Sequence, residues 1–280
     1  MIKKEIIKSH HIGRTFYRDK LSDNEAKYYH ILLEGLLRYE QSIQYKNLEI
    51  CQMERIYEAI KVDVPKLFFI KQIICQHNPI LNCGLVVPLY RFSKAETCAT
   101  LNAIQLKIEK IVKYIACKSE YEKEIFIHDY LCKNVKYDYS FKESSFECVG
   151  PILFGKGVCE GISKASKLLF DAAGISSIIA HGKSNNQSIH DVADNLHAWN
   201  IVSINNSYYH IDITFDLSIM TFGVIWYDYV NLSTEDISVD HKYDKKEYPH
   251  CSHSKDYYIE HDMYMANKDY FKSHLDKKIL

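Results

Sequence analysis

Three short stretches of this chain carry residue types suited to nucleophilic chemistry. Gly157-Val158-Cys159-Glu160-Gly161 stands directly before a helical pattern that runs to Ala173. A cysteine in the first turn of a helix lies at the positive end of the helix dipole, where a thiolate nucleophile is stabilised. The glycines around it let the backbone turn and let a substrate come close at Gly157. The bland alternative, a buried cysteine at a helix start, carries equal weight on this stretch alone. His197-Ala198-Trp199-Asn200 opens a strand after a polar loop. Histidine is the usual proton acceptor for a thiol, although most of the 14 histidines must be surface or packing residues. Trp199 either walls a cleft or fills the core. In Tyr209-His210-Ile211-Asp212-Ile213-Thr214, Asp212 interrupts an apolar strand, so it either faces outward or has a buried partner. A carboxylate that accepts from a histidine ring fixes its tautomer and orientation. Asn205-Asn206-Ser207 reads as a hairpin turn, because asparagine tolerates positive φ, and the hairpin makes His197 and Asp212 cross-strand neighbours.

These residues must be positioned by the surrounding elements. Helices are expected over Asp23 to Tyr39 and Leu48 to Ile60, the second ended by Asp63-Val64-Pro65. Leu67 to Ile70 and Leu85 to Tyr90 are short strand candidates. Ser93-x-x-Glu96 and Ser119-x-x-Glu122 are capping boxes that open two more helices, the second running to about Cys132. The Cys159 to Ala173 helix is amphipathic, with Gly174 as its stop. Strands follow at 175–181, 196–204 and 208–214, with a further strand near 224–231 and a polar loop over 183–195. One helix followed by an antiparallel sheet is an α+β pattern. The expected division is a mainly helical region over 1–118 and a catalytic domain over 119–280.

Composition narrows the function. With 35 Lys+Arg against 36 Asp+Glu the chain has a formal net charge of −1, which gives no pull toward nucleic acid or an anionic membrane. No stretch approaches the ~20 apolar residues of a membrane span, and Met1 to Ile12 lacks the apolar run of a secretory signal. The nine cysteines form neither a C-x-x-C pair nor an even framework, so most read as small buried side chains in a reducing compartment, hence the cytoplasm. His250, Cys251 and His253 are too few for a zinc site on this spacing. His190, Asp191 and Asp194 sit in the polar loop and read as solvated. No cofactor motif is present; Gly155-x-Gly157 lacks the lysine of a phosphate loop.

Taken together, the Gly157–Gly161 run, His197-Ala198-Trp199-Asn200 and the run from Tyr208 to Asp216 resemble the transglutaminase-like superfamily, which includes transglutaminases, microbial proteases and peptide N-glycanases. The likeness extends more weakly to Val135–Tyr139, Val149–Ile152, Tyr229–Ser233 and Asp240-His241, and covers about residues 120 to 255. The resemblance implies a papain-like core with a nucleophile helix on an antiparallel sheet, with Cys159 as nucleophile, His197 as base and Asp212 as orienting acid. Two departures leave these three intact: Ile162-Ser163 replaces the usual Tyr-Ala, and Phe215 replaces the more common Trp. No acidic cluster matches the metal loops of calcium-dependent members. Of the oxyanion donors such chemistry needs, the backbone N–H of Cys159 is one; the second is unassigned. Trp199, Glu160 and Gly157 are the substrate-cleft candidates. The expected activity is cofactor- and metal-free hydrolysis of a peptide or other amide bond. Amide transfer, or a silent peptide-binding cleft, is the alternative.

Overall fold

The computed structural model describes residues 15–184, 195–220 and 223–261. His190, Asp191 and Asp194, with most of the 183–195 loop, lie outside the described residues, as does the segment up to residue 14.

The capping boxes do what their spacing predicts. Ser22, Ser93 and Ser119 each exchange hydrogen bonds with the residue three positions on, starting helices α1 (Asp23–Arg38), α3 (Lys94–Val112) and α4 (Glu120–Asn134). Between α1 and α3, helix α2 (Ile50–Asp63) stops before Pro65. The expected strand at 67–70 is instead a 3-10 turn over Pro65–Leu67, and extended structure begins at Ile70. There β2 (Ile70–Asn78) and β3 (Cys83–Tyr90) form an antiparallel pair, with β1 (Ile43–Lys46) on the other edge of β3. The first third of the chain thus carries a three-stranded sheet among its helices. Ile73-Ile74 breaks the alternation of β2, which hides the strand from a period-two reading.

The second half is built on helix α5 (Cys159–Ala173). The expected amphipathic helix is buried on nearly every side, with 13 of its 15 residues inside. Three of these are charged. Lys167 Nζ donates to Asp171 Oδ2 (3.1 Å) and to the Ser177 carbonyl (2.9 Å), so both charges enter the core satisfied. The helix lies on a four-stranded antiparallel sheet of order β8-β7-β6-β9, formed by β6 (Ser177–Ser184), β7 (Leu196–Ile204), β8 (Ser207–Ile211) and β9 (His241–Lys242). The hairpin between β7 and β8 turns on two residues, Asn205 and Asn206, both with positive φ (51° and 64°). No strand forms at 224–231; that stretch is irregular apart from bridges, and β9 takes the sheet edge instead.

The sheet is covered on both faces. Val202 and Ile204 join the main core, which runs without a break from Tyr29 to Val230 and so joins the first third of the chain to the second half. Trp199 and Ile201 point the other way, into a small cluster with Ile178, Ala180 and Cys251. Further links cross the expected 118/119 boundary: Tyr17 Oη donates to the Ile179 carbonyl (2.5 Å), and Cys148 Sγ to the Pro65 carbonyl (3.2 Å). All nine cysteines are free, but only Cys132, Cys148, Cys159 and Cys251 are buried, fewer than composition suggests. Among the described residues no helix is long and apolar enough to cross a membrane.

Candidate active site

The nucleophile position is set by a brace. Strand β4 (Lys136–Tyr137) pairs in parallel with β5 (Lys156–Gly157), placing Tyr137 opposite Gly157. Asp138 N–H donates to the Gly157 carbonyl and Val158 N–H to the Ser145 carbonyl, both at 3.0 Å. The Ser145 hydroxyl in turn donates to Asp138. Within this brace the glycines serve packing rather than substrate access. A Cβ on Gly161 would stand 2.1 Å from the Ser145 carbonyl oxygen, and one on Gly157 2.5 Å from Pro151 Cγ. Cys159 is therefore held at the first turn of α5, buried with 6% of its surface exposed.

His197 enters from β7, where it pairs with Gly182 of β6. Its Nε2 meets Asp212 Oδ2 at 2.5 Å. Burial alone would lower its pKa; the charge and hydrogen bond of Asp212, together with Cys159, outweigh burial and raise it to about 10. With Nε2 on the carboxylate, Nδ1 is the nitrogen available to the thiol. Three sequence-predicted residues, Cys159, His197 and Asp212, are thus brought together.

Asp212 is not in the strand, as its setting suggested. β8 ends at Ile211, opposite Asn200, so Asp212 has left the ladder and reaches His197 diagonally. It N-caps a short helix, α6 (Ile213–Ile219): Oδ1 accepts from the N–H groups of Thr214 (2.9 Å) and Phe215 (3.1 Å). Against the upward push of burial, His197 and a second histidine, His241, hold its pKa well below the usual carboxylate range. His241 Nε2 lies 3.0 Å from the same Oδ2 atom.

The ligand atoms of His197, Asp212 and His241 lie within 4.8 Å of one another. Around a tetrahedral zinc, with bonds of about 2.0–2.1 Å, neighbouring ligand atoms stand about 3.3 Å apart. The 2.5 Å separation of His197 Nε2 from Asp212 Oδ2 fits a shared proton instead. Cys251 and His253 are not gathered either: Cys251 is buried in the cluster under the sheet, while His253 Nε2 bonds Tyr209 Oη at 3.0 Å.

The three cleft candidates fare differently. Trp199 is 1% exposed, so it is no cleft wall; its indole stacks on the His197 ring (5.9 Å, 14°) and donates to His210 Nδ1. Alternation along β7 sends it to the same face as His197, beneath the triad. Gly157 is buried against Pro151. Only Glu160 reaches open space, lining a cleft of about 1000 Å³ with Tyr17, Arg91, Phe146, Lys164 and His181. Burial would raise its pKa, but Lys164 (3.3 Å) and His181 (3.0 Å) hold it down to about 2.

Two residues of the site lie in stretches that carry the weaker resemblance, but the sequence assigned neither of them to the site. One is His241, 29 residues beyond Asp212, for which the adjacent Asp240 was the available signal. The other is Tyr137. Its phenol oxygen is buried and faces the Cys159 backbone N–H, without reaching the geometry of a full hydrogen bond to any group. Burial, then the Cys159 thiol, pushes its ionisation up, and the Cys159 backbone N–H partly opposes that. The phenol therefore lies beside both the sulfur and the first oxyanion donor.

Residues 109–213 match the core model of the transglutaminase-like superfamily. Among solved structures, the chain is similar to a candidate cysteine protease from Cytophaga hutchinsonii, at 15% identity and TM-score 0.34, covering 51% of this chain and 61% of that one. It is similar to a TGase at 14% identity and TM-score 0.37, covering 75% of this chain and 56% of that one. A candidate protease from Parabacteroides distasonis is matched at 10% identity and TM-score 0.29, over 52% of this chain and 39% of that one. The chain thus spans less than two thirds of each of these proteins. None of the curated proteins matches it.

Proposed function

We propose that this chain, which carries a transglutaminase-like core over residues 109–213, is a cysteine-nucleophile hydrolase acting on a peptide or other amide bond. The observation that carries the reading is the meeting of Cys159, at a helix N-terminus, with a histidine whose far nitrogen is fixed on a buried carboxylate. The thiol proton passes from Cys159 Sγ to His197 Nδ1, and the thiolate attacks the carboxamide carbon. His197 then protonates the leaving amine, whose C–N bond breaks to give an acyl-enzyme. Water, deprotonated by His197, attacks the thioester and returns the thiol. Asp212 keeps Nε2 protonated throughout, so that Nδ1 does the proton traffic. In this reading the oxyanion is met by the Cys159 N–H, turned from the phenol oxygen it faces at rest, and by the Tyr137 O–H, whose proton no other group takes.

Hydrolysis is favoured over transfer because a transferase must shield its thioester from water, commonly with aromatic walls. Trp199, the one tryptophan of the triad blocks, is buried under His197 and forms no such wall. The test offers casein together with an excess of labelled primary amine. New peptide ends or free acid, lost in Cys159→Ala, support hydrolysis. Stoichiometric incorporation of label would make the chain a transferase. No Cys159-dependent product of either kind would leave the silent binding cleft.

A further inference from the structure

The partners of His241 specify its charge. Its Nδ1 lies 2.6 Å from Asp240 Oδ1, and its Nε2 lies 3.0 Å from Asp212 Oδ2. A neutral imidazole has one N–H donor and one acceptor. Each contact needs a proton between nitrogen and oxygen. Asp212 has none to give: its two oxygens already accept from Thr214, Phe215 and His197, and its pKa is held far down. Asp240 accepts on its other oxygen from the Tyr229 hydroxyl (2.5 Å) and keeps 26% of its side chain in solvent, so its carboxylate form is the one water and phenol support. Both ring nitrogens must then donate.

We infer that His241 is a permanently protonated positioning residue, which shares the Asp212 oxygen used by His197 and limits how firmly that oxygen holds the proton of His197. The inference rests on the triad reading above. Along the row Asp240, His241, Asp212, His197, Cys159 the charges then alternate, starting and ending negative when the thiol is ionised. Without the His241 charge, the same buried row would carry one more net negative charge. Proton affinity along the whole row would rise, because a like charge at this range disfavours the second protonation; the His197 and His241 rings are 5.2 Å apart.

The groups that face His241 agree with a cation there. Burial alone would lower its pKa, but Asp212 and Asp240 raise it. From β8, His210 must be neutral, because its Nδ1 accepts from the Trp199 indole (2.9 Å); its Nε2–H is then the donor to Tyr243 Oη (3.0 Å). Burial and then the charge of His241 bring the His210 pKa down to about 3. From β6, Ser184 stands opposite His241 and Lys183 opposite Lys242. The rings of Trp199 (4.9 Å) and Phe215 (4.7 Å) close the remaining sides. His241 is thus an enclosed cation with two anionic contacts and a side chain shut off from the surface.

The experiment is nitrogen NMR of the full chain carrying ¹⁵N-labelled histidine, from pH 7 to 9, in wild type, His241→Gln and Asp240→Asn. Glutamine keeps a donor toward Asp212 but no charge; asparagine keeps the shape of a partly exposed partner and should fold even if His241→Gln does not. One ring with both nitrogens protonated across this range should vanish in His241→Gln and begin to titrate in Asp240→Asn. In parallel, the pH midpoint for iodoacetamide alkylation of Cys159 should rise by about one pH unit in His241→Gln, which leaves the row one charge more negative, and should not rise in Asp240→Asn, which removes a negative charge. A neutral His241 in wild type at pH 8, or a midpoint that does not move in His241→Gln, would overturn the inference. Failure of the triad reading looks different: Cys159 of wild type would alkylate no faster than the other cysteines, whatever the His241 signal.

Discussion

Among the described residues, two regions bring cysteine, histidine and aspartate together, and only one has its sulfur placed as a candidate nucleophile. In the first, Cys159, His197 and Asp212 come from a helix start, a strand and a helix cap. In the second, His128 Nε2 lies 3.0 Å from Asp216 Oδ2 and 3.7 Å from Cys132 Sγ. Both clusters are buried, and in both the histidine is raised against burial, His197 chiefly by Asp212 and His128 first by Cys132 and then by Asp129 and Asp216. The difference lies in where the sulfur sits. Cys132 is in the last turns of α4, the negative end of the dipole, and burial pushes its thiol up. It is 1% exposed, and Asp216 is occupied in fastening the Tyr229 N–H to α6. Residue types close in space therefore make a polar staple in one place and a candidate nucleophile in the other, and the end of the helix decides which.

The comparison breaks most sharply at the sulfurs. Cys159→Ala should abolish the nitrophenol burst from p-nitrophenyl acetate, while Cys132→Ala should keep it near wild type. A burst that survives loss of Cys159 would remove the distinction altogether. Next in size, Tyr137→Phe should slow acylation by about 10²-fold, the scale of one oxyanion donor. Iodoacetamide alkylation of Cys159, which builds no oxyanion, should be unchanged in that variant. Equal loss in both assays would instead make Tyr137 a prop for the brace.

The two aspartates should separate stability from chemistry. Asp216→Asn leaves His128 charged in the core and should cost about 3 kcal/mol or more of stability, with acylation retained by the folded fraction. Asp212→Ala should lose turnover and also about 1–2 kcal/mol, because it removes the cap of α6. Urea unfolding beside burst kinetics on both variants checks this pair; a stable Asp216→Asn would show that the staple is dispensable. The smallest effect is one of pH. The His197 pKa rises from 6.5 to about 10 on folding, so the stability it adds is fully present below about pH 6.5 and fades as pH climbs through about 10. Urea midpoints of wild type should therefore fall toward those of His197→Gln between pH 8 and 10, and parallel curves would argue against a charged His197.

The meeting of Cys159, His197 and Asp212 was legible because each sits in a local signal: a glycine-flanked helix start, a strand after a loop, a hairpin with an asparagine turn. What stayed hidden depends on where chains end and cross. Asp212 reads as a strand residue until β8 is seen to stop at Ile211, one residue short. Trp199 reads equally as wall or core, and only a second buried face on the sheet decides for core. His241 has no spacing relation to Asp212 and arrives through a two-residue edge strand. His128 and Cys132 share a helix face at i, i+4, but their carboxylate lies 88 residues away in the chain. The division at 118/119 followed a change of pattern in the sequence, but a sheet lies among the helices before it and the apolar core crosses it. We expect a fragment beginning at residue 119 to be insoluble, a point settled by expressing it alone.

The stacking of Trp199 on His197 gives the molecule an optical gauge. A protonated imidazole quenches the emission of an indole in contact with it, whereas a neutral ring does so weakly. The chain has two tryptophans, so replacing Trp226 with phenylalanine leaves a single emitter lying against the His197 ring. Its brightness would follow the proton on His197 in real time: dim at rest while the ring is charged, bright once the leaving group carries the proton away, and dim again when water has given one back. Turnover could then be watched through the enzyme itself, before any substrate has been given a dye.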